Sequence, residues 1–164
     1  MSFYVIIRGP LGCGKTTISK KLSELLDAKY FSIDEVLRNY NLEGDREEGY
    51  ISQKSFKQAN DVLVPLAKIK LNSGVPIIFD GNFYWQSQIN DLISKLDFPH
   101  YVFTLTAPLD ICINRDELRN DAHGDAAARA VFRKSVEFDF GINIDVNKPI
   151  DICIKEILSF IQGD

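Results

Sequence analysis

The chain has 164 residues, and its 19 Lys and Arg against 23 Asp and Glu give a formal net charge of −4. Apolar residues make up 45% of the sequence and charged residues 26%, which indicates one globular domain over residues 1–164 with a single core and excludes collagen-like or disordered chains. The acidic balance argues against a general binder of nucleic acid or membrane surfaces, although it leaves room for a local basic pocket.

Strand and helix patterns alternate along the whole chain. Apolar runs predict strands at residues 3–8, 29–33, 75–79, 101–105 and 141–146. Apolar residues at helical spacing predict helices around residues 18–26, 35–38, 52–72, 89–96, 108–119, 129–133 and 149–161. Because parallel strands need crossover connections, this alternation predicts an α/β fold of three layers, a parallel sheet with helices on both faces.

Three segments interrupt the regular pattern. Residues 41–50 are charged and contain two glycines, so we expect a loop there. Pro65 lies inside the helical pattern of residues 52–72 and is expected to kink or split that helix. Residues 120–125 are polar, and the segment at about 119–133 is predicted to form a small helical lid.

The cysteines are far apart and form no metal-binding or disulfide pattern, so we expect Cys13, Cys112 and Cys153 to be buried, reduced thiols. The apolar run at residues 3–7 is too short for a signal peptide. No stretch approaches the roughly 18 apolar residues that a membrane span needs. We therefore expect a cytoplasmic protein without membrane contact.

The strongest motif directly follows the first predicted strand. Residues 9–17, GPLGCGKTT, match the phosphate-binding loop pattern G-x-x-x-x-G-K-[ST]. Glycines let successive backbone N–H groups point at phosphate oxygens, and the next helix adds its positive N-terminal end. Lys15 would reach the β- and γ-phosphates, and the Thr16 hydroxyl would bind Mg²⁺. The predicted binding residues are Gly9, Gly12, Cys13, Gly14, Lys15, Thr16 and Thr17.

Two acids end neighbouring strands, at the sheet edge where ligands of such folds bind. Asp80 follows an apolar strand, so it is a candidate Mg²⁺ ligand, direct or through water; the alternative is a turn-forming Asp. Asp34 ends the second strand and could accept the proton of an attacking hydroxyl. Its alternative role is an N-cap for the helix that starts at Glu35.

Polar residues near these acids are candidates for binding an acceptor. Arg38 lies one helical turn after Asp34 and could bind an anionic group, and Gly81 and Asn82 would line the acceptor side. Four arginines bracket the polar residues 120–125 in two pairs with i, i+4 spacing. We predict that at least one of Arg115 and Arg119 contacts ATP and that these two act in catalysis together with Lys15 and Asp34. Arg129 and Arg133 are candidates for binding the acceptor, although the sequence leaves open which arginine contacts which substrate. The alternative for these arginines is charge pairing with nearby acids on a solvated helix.

With these motifs the sequence resembles the P-loop kinases of the nucleoside monophosphate kinase-like group. This group includes shikimate kinase, gluconate kinase, chloramphenicol phosphotransferase and the kinase part of polynucleotide kinases. Matching segments are residues 9–17, 32–38, 79–81, 115–119 and 144–149. The resemblance implies a five-stranded parallel sheet in the order 2-3-1-4-5, Mg²⁺ and ATP as cofactors, Asp34 as acceptor-side base, and adenine near residues 144–149.

Departures from the group pattern concern the acceptor side. Ser32 stands where shikimate and gluconate kinases carry an additional acid, and Asn82 follows Gly81 where shikimate kinase has a second glycine. The lid also lacks the Arg-Xaa-Asp-Asp signature of nucleotide kinases. These differences leave the acceptor unidentified.

Three functions are compatible with the sequence. We expect an ATP-dependent phosphotransferase that acts on a small-molecule hydroxyl, as a monomer or a homodimer. The first alternative is a nucleotide or 5′-hydroxyl polynucleotide kinase, which the acidic net charge disfavours. The second is a nucleotide-binding switch without transfer chemistry.

Overall fold

The computed structural model describes residues 2–119 and 123–163. The strands are Tyr4–Arg8 (β1), Lys29–Ser32 (β2), Arg46–Glu47 (β3), Tyr50–Ile51 (β4), Ile77–Asp80 (β5), His100–Thr106 (β6) and Ile142–Asp145 (β7). The helices are Lys15–Leu26 (α1), Ile33–Asn39 (α2), Gln53–Asn72 (α3), Gln86–Lys95 (α4), Leu109–Glu117 (α5), Asp125–Ser135 (α6) and Ile150–Gln162 (α7).

The main sheet has five parallel strands in the order β2-β5-β1-β6-β7. Numbered among themselves along the chain, these strands have the order 2-3-1-4-5, so the predicted topology is confirmed. Strand β1 lies in the centre and all its side chains are buried, which explains its unbroken apolar pattern. The register places Ser32 beside Asp80, so the ends of β2 and β5 meet at one edge.

The sheet divides the apolar interior into two clusters, where the sequence predicted a single core. Tyr4 and Ile6 face the cluster on the side of α2, α3 and α4, whereas Val5 and Ile7 face the cluster on the side of α1 and α7. The alternation follows from the two-residue period of a strand. Each fully buried aliphatic side chain contributes roughly 1.5–3 kcal/mol, so both clusters stabilise the sheet.

The segment predicted as a charged loop contains an antiparallel hairpin. Strands β3 and β4 pair Arg46 with Ile51 and Glu47 with Tyr50. Between them, Glu48 and Gly49 both have positive φ angles, 55° and 85°. This turn geometry matches the twist of a tight hairpin.

Pro65 does not split the third helix. Helix α3 continues from Gln53 to Asn72 with Pro65 inside it. Pro65 is exposed, as is Asp61, the residue one turn earlier. The carbonyl that loses its N–H partner therefore lies on the solvent side, where water satisfies it.

Arg8 is a fully buried cation at the end of β1, with 0% of its surface exposed. Its Nε donates to the Phe83 carbonyl (3.2 Å), Nη1 to Thr104 Oγ1 (3.0 Å) and Nη2 to the Ser135 carbonyl (3.0 Å). The guanidinium also lies 4.5 Å from the ring centre of Phe138. Burial lowers the pKa of Arg8 to about 10, so the group stays charged at neutral pH. One side chain thus joins the loop after β5, strand β6 and the end of α6.

All three cysteines are buried and free, as predicted. Burial raises the pKa of Cys13 above its usual range, so this thiol is not activated. None of the helices within residues 2–119 and 123–163 is long and apolar enough to cross a membrane.

Candidate active site

The phosphate-binding loop joins β1 to α1 with an open helix end. Gly14 is the N-cap residue of α1, with φ 86° and no side-chain hydrogen bond, so the first N–H groups of the helix remain available to an anion. Lys15 Nζ donates to the Pro10 carbonyl at 2.8 Å, which holds the ammonium group against the loop. A cavity of about 390 Å³ lies above the loop, and we name it the phosphate cavity. Its lining residues are Gly12, Gly14, Lys15, Thr16, Thr17, Arg115 and Arg119.

Gly12 brings this loop into close contact with α5. Its φ is +77°, a conformation that favours glycine, and a Cβ built there would lie 2.0 Å from the Cys112 carbonyl oxygen. Backbone therefore packs directly on backbone. The position of α5, and of Arg115 within it, depends on the absence of a side chain at residue 12.

Beside the loop, oxygen atoms form a site suited to Mg²⁺. Thr16 Oγ1 donates to Asp80 Oδ2 at 3.0 Å, and the Tyr30 hydroxyl donates to the same oxygen at 2.6 Å. Asp80 is only 5% exposed. A hydroxyl and a carboxylate are hard oxygen donors of the kind that Mg²⁺ prefers when phosphate oxygens supply further ligands. Within the described residues no group of three His, Cys, Asp or Glu could hold a metal by itself.

A second cavity, of about 550 Å³, opens on the other side of the loop, and we name it the acceptor cavity. Its wall includes residues from α2, the β3–β4 hairpin, the loop after β5, and α6. Its lining includes Leu11, Asp34, Arg38, Glu43, Arg46, Glu48, Tyr50, Asn82, Tyr84, His123 and Arg133.

Asp34 faces the acceptor cavity from the first turn of α2. The cap of this helix is Ser32, whose side chain accepts a hydrogen bond from the Glu35 N–H at 3.2 Å, so the alternative role of Asp34 as N-cap is wrong. Asp34 reaches solvent through the cavity, yet the surrounding protein removes hydration and raises the pKa of its carboxyl. Lys15 opposes this rise, and Asp80 adds to it. A carboxylate with raised pKa is a better proton acceptor than an ordinary Asp.

A smaller cavity of about 190 Å³ lies next to the phosphate-binding loop, on the side of β7 and α7. Its lining residues are Cys13, Gly14, Thr17, Ile18, Arg115, Val146, Lys148, Ile150 and Cys153. Arg115 lines this cavity and the phosphate cavity, and its Nη2 donates to the Val146 carbonyl at 3.0 Å. Residues 144–149, which resemble the adenine-binding loop of P-loop kinases, thus border the phosphate cavity.

A protein-family model described as an AAA domain matches residues 5–138, most of the chain. The chain belongs to this family. Together with the kinase structures of the same fold described next, this match confirms the predicted resemblance to P-loop kinases. Among curated proteins, none matches the sequence.

Solved structures share the fold of this AAA domain at low sequence identity. A sugar kinase from Janibacter sp. HTCC2649 is 17% identical with a TM-score of 0.82, covering 99% of this chain and 95% of that chain. A gluconokinase from Sinorhizobium meliloti 1021 is 12% identical with a TM-score of 0.74, covering 95% and 89%. Deoxyadenosine kinase from M. mycoides is 17% identical with a TM-score of 0.57, covering 98% of both chains.

The structure brings most of the predicted site residues of the AAA domain together. Lys15, Thr16, Thr17, Arg115 and Arg119 line the phosphate cavity, and Asp34, Arg38, Asn82 and Arg133 line the acceptor cavity. Gly9 is buried at the end of β1. Gly81 serves packing, since a Cβ there would lie 2.8 Å from Ile33 Cγ1. Residues 120–122 of the predicted lid lie outside the described residues.

Arg129 lies apart from Arg133 although both are on α6. Its Nε contacts Asp125 Oδ2 at 2.8 Å, and it lines a surface depression against α5. Arg133 lines the acceptor cavity. The i, i+4 spacing placed both on one helical face, but an exposed Arg with an acid one turn earlier pairs locally instead.

Tyr30 and Arg46 are among the residues of the site that the sequence analysis missed. Tyr30 binds Asp80, and Arg46 lines the acceptor cavity from the hairpin. Tyr30 lies two residues before Ser32 on a strand that pairs with β5, so the two side chains share one face of the sheet. This two-residue spacing from the strand end could have indicated that Tyr30 belongs to the site. Burial, and after it the negative charge of Asp80, raises the pKa of Tyr30 above its usual range, so the hydroxyl keeps its proton and remains a donor.

Replacing Tyr30 with Phe should weaken Mg²⁺-dependent ATP binding. The Tyr30 hydroxyl holds Asp80 Oδ2 in place, and loss of such a supporting hydrogen bond typically lowers metal affinity by roughly 10–100-fold. The Mg²⁺ concentration that gives half-maximal binding of a non-hydrolysable ATP analogue measures this. Tyr101→Phe is the matched control, because the Tyr101 hydroxyl contacts only the Ile161 carbonyl in α7, at 3.4 Å. Equal Mg²⁺ dependence in both variants would remove Tyr30 from the site.

Proposed function

We propose that this AAA domain is an ATP-dependent kinase that transfers the γ-phosphoryl group to a hydroxyl of a small molecule. The observation that carries the proposal is the acceptor cavity itself. It adjoins the phosphate-binding loop at Leu11 and contains Asp34, whose pKa is raised. A nucleotide-binding switch needs the phosphate cavity alone, so a second cavity with a basic carboxylate favours transfer chemistry.

The residues of the phosphate cavity bind and orient the donor. Lys15 exchanges its contact with the Pro10 carbonyl for the β- and γ-phosphate oxygens of ATP, and the open N–H groups of α1 bind the same phosphates. Thr16 and Asp80 would hold Mg²⁺, which would neutralise charge on the phosphates. Arg115 lines both the phosphate cavity and the smaller cavity beside β7 and α7, where the resemblance would put the adenine near residues 144–149.

Asp34 acts on the acceptor. It accepts the proton of the attacking hydroxyl while the oxygen forms its bond to the γ-phosphorus and the bond to the leaving ADP oxygen breaks. Arg115 and Arg119, which line the cavity of the transferred group, stabilise the negative charge there. The sugar kinase and the gluconokinase with the same fold support a polyhydroxy compound as acceptor.

An acceptor screen tests the proposal directly. Sugars, sugar acids, nucleosides, nucleotides and phenicol or aminoglycoside hydroxyls are incubated with ATP and Mg²⁺, and ADP formation and product mass are measured. We expect one group of acceptors to gain a phosphoryl group. A preparation carrying Lys15→Met controls for contaminating kinases. Tight ATP binding without transfer to any acceptor would instead favour a switch. A cytoplasmic location and a monomeric or homodimeric state stay predictions.

A further inference from the structure

We infer that the acceptor carries an anionic group, a phosphate or a carboxylate, in addition to the hydroxyl that is phosphorylated, and that Arg38, Arg46 and Arg133 bind this group. The inference rests on the proposed kinase function, because it concerns the acceptor cavity of that function. It adds the chemical class of the acceptor, which neither the family match nor the fold neighbours determine.

The three arginines reach one cavity from three different elements. Arg38 lies on α2, Arg46 on β3 and Arg133 on α6, and all three line the acceptor cavity. None of their guanidinium groups forms an ion pair or hydrogen bond with another residue in the described ranges 2–119 and 123–163. A guanidinium group presents a planar set of N–H donors that matches carboxylate and phosphate oxygens. Three such groups around one cavity provide donors that the protein itself does not use.

Most acids of the neighbouring hairpin, in contrast, have partners of their own. Asp45 accepts from the Ser52 hydroxyl at 2.5 Å. Glu47 accepts from the backbone N–H of Gln53 at 3.1 Å and from its side chain at 2.8 Å. These acids are engaged in holding the hairpin against the start of α3. They are therefore not available to neutralise Arg46, although the three lie within two residues of each other along the chain.

The carboxylates that line the cavity do not pair with these arginines. Asp34, Glu43 and Glu48 equal the arginines in number, yet within the described ranges no ion pair joins any of them to the three guanidinium groups. Glu48 instead lies 4.0 Å from Lys134 Nζ, which also contacts Glu137 at 3.1 Å. His123 also lines the cavity, but its ring contacts Asp116 at 3.1 Å.

A polar atom in the wall indicates where the hydroxylated part of the acceptor lies. Asn82 lines the acceptor cavity, and its buried Oδ1 has no hydrogen-bond partner in the part of the chain that the structure describes. A bound ligand that donates a hydrogen bond would satisfy this atom, whereas the other buried amide oxygens without partners, those of Asn60 and Gln88, do not line the cavity. A cavity of about 550 Å³ accommodates a monosaccharide derivative or a mononucleotide but not a large macromolecular surface.

The arginines of the acceptor cavity are separate from those of the phosphate cavity. Arg115 and Arg119 line the cavity of the donor, and neither lines the acceptor cavity. The phosphates of ATP therefore do not account for the second set of arginines. An anion on the acceptor does account for them.

Matched pairs of acceptors test the inference. Each neutral compound is compared with its charged counterpart: glucose with gluconate and glucose 6-phosphate, and nucleosides with their 3′- and 5′-monophosphates. We expect the anionic member of at least one pair to have a kcat/KM at least 10-fold above its neutral counterpart, roughly the effect of one charge-assisted hydrogen bond. Carboxylate and phosphate members distinguish the two forms of the anion.

Single substitutions then locate the anion. Arg46→Gln or Arg133→Gln should raise KM for the anionic acceptor by about 10–100-fold and change KM for its neutral counterpart by much less. Arg46→Lys should restore part of the effect. Arg129→Gln is the matched control on α6, because Arg129 lies outside the acceptor cavity, and it should leave the acceptor KM unchanged.

The outcomes separate the inference from the function on which it rests. Transfer to no acceptor contradicts the kinase proposal itself. Transfer that favours the neutral member of every pair, or that ignores Arg46→Gln and Arg133→Gln, overturns the inference and leaves the kinase intact. A 5′-hydroxyl oligonucleotide used far better than any small anion also overturns it, since the arginines would then serve a polymer.

Discussion

Asp34→Asn is expected to lower kcat for phosphoryl transfer by about 10²–10⁴-fold while the Kd for ATP changes little. The Asn side chain keeps the shape of the carboxylate but cannot accept a proton. Asp34 lines the acceptor cavity and not the phosphate cavity, so donor binding should persist. Steady-state kinetics with the acceptor found in the screen, together with calorimetric titration of an ATP analogue, measure the two quantities.

Glu35→Gln is the matched control for this substitution. Glu35 is the next residue in the first turn of α2, is exposed, and does not line the acceptor cavity. It should retain wild-type kcat. If both variants lost activity equally, charge near the N-terminal end of α2 would be responsible, and Asp34 would not be the base.

Asp34→Asn should also stabilise the fold at neutral pH. The folded-state pKa of Asp34 is raised above its usual 3.8, so ionisation disfavours the folded state. This penalty is absent below the unfolded-state pKa and develops as the pH rises through the folded-state pKa. Asp34→Asn should therefore raise Tm at pH 8 and have a smaller effect at pH 4. Thermal denaturation at both pH values checks the sign.

In a wild-type pH profile, the raised pKa of Asp34 also has a kinetic consequence. Activity needs the ionised carboxylate, so kcat/KM should fall on the acid side at a pH above the usual range of an Asp. The residual activity of the Asp34→Asn variant should not show this decrease of kcat/KM on the acid side.

Gly12→Ala is expected to disrupt the phosphate-binding loop and to lower the free energy of unfolding by about 2–5 kcal/mol. Two effects combine: φ is +77°, and the new Cβ would lie 2.0 Å from the Cys112 carbonyl oxygen. The opposing atom belongs to the backbone of α5, so relief requires the helix to move. Urea denaturation measures the stability, and titration with an ATP analogue measures the loss of binding.

Gly74→Ala is a control that separates the cost of a positive φ angle from the cost of a steric clash with the new Cβ. Gly74 has φ +85°, yet nothing lies within 4 Å of a Cβ built there, and it follows α3. Its substitution should cost only about 1–2 kcal/mol. If Gly12→Ala were no worse than this control, the loop would not depend on close contact with α5.

The parts of the molecule that the sequence predicted are those with strong local signals. The buried strands produce uninterrupted apolar runs, and β1 with residues 9–17 forms a motif whose chemistry is contained in nine consecutive positions. Local spacing therefore sufficed for the parallel α/β fold and for placing Lys15 and Thr16 in the phosphate-binding loop, whereas the strand order came from the resemblance to P-loop kinases.

The features that the sequence did not predict depend on contacts between distant or very short segments. Strands β3 and β4 have two residues each, which is too short to show the alternation of apolar and polar residues that predicts a strand. The contact between Tyr30 and Asp80 spans 50 positions. At α2 the alternatives differed in the identity of a single capping residue, and the backbone conformation that makes Ser32 the N-cap depends on how the chain leaves β2.

The contacts at the two ends of α6 determine how this helix can move. Arg8 holds the Ser135 carbonyl, so the C-terminal end of α6 is tied to the sheet. At the other end the backbone N–H of Gly124, the N-cap residue, donates to Asp116 Oδ2 in α5 at 3.1 Å. A displacement of α6 that widens the acceptor cavity therefore either carries α5 with it or breaks the contact with Asp116.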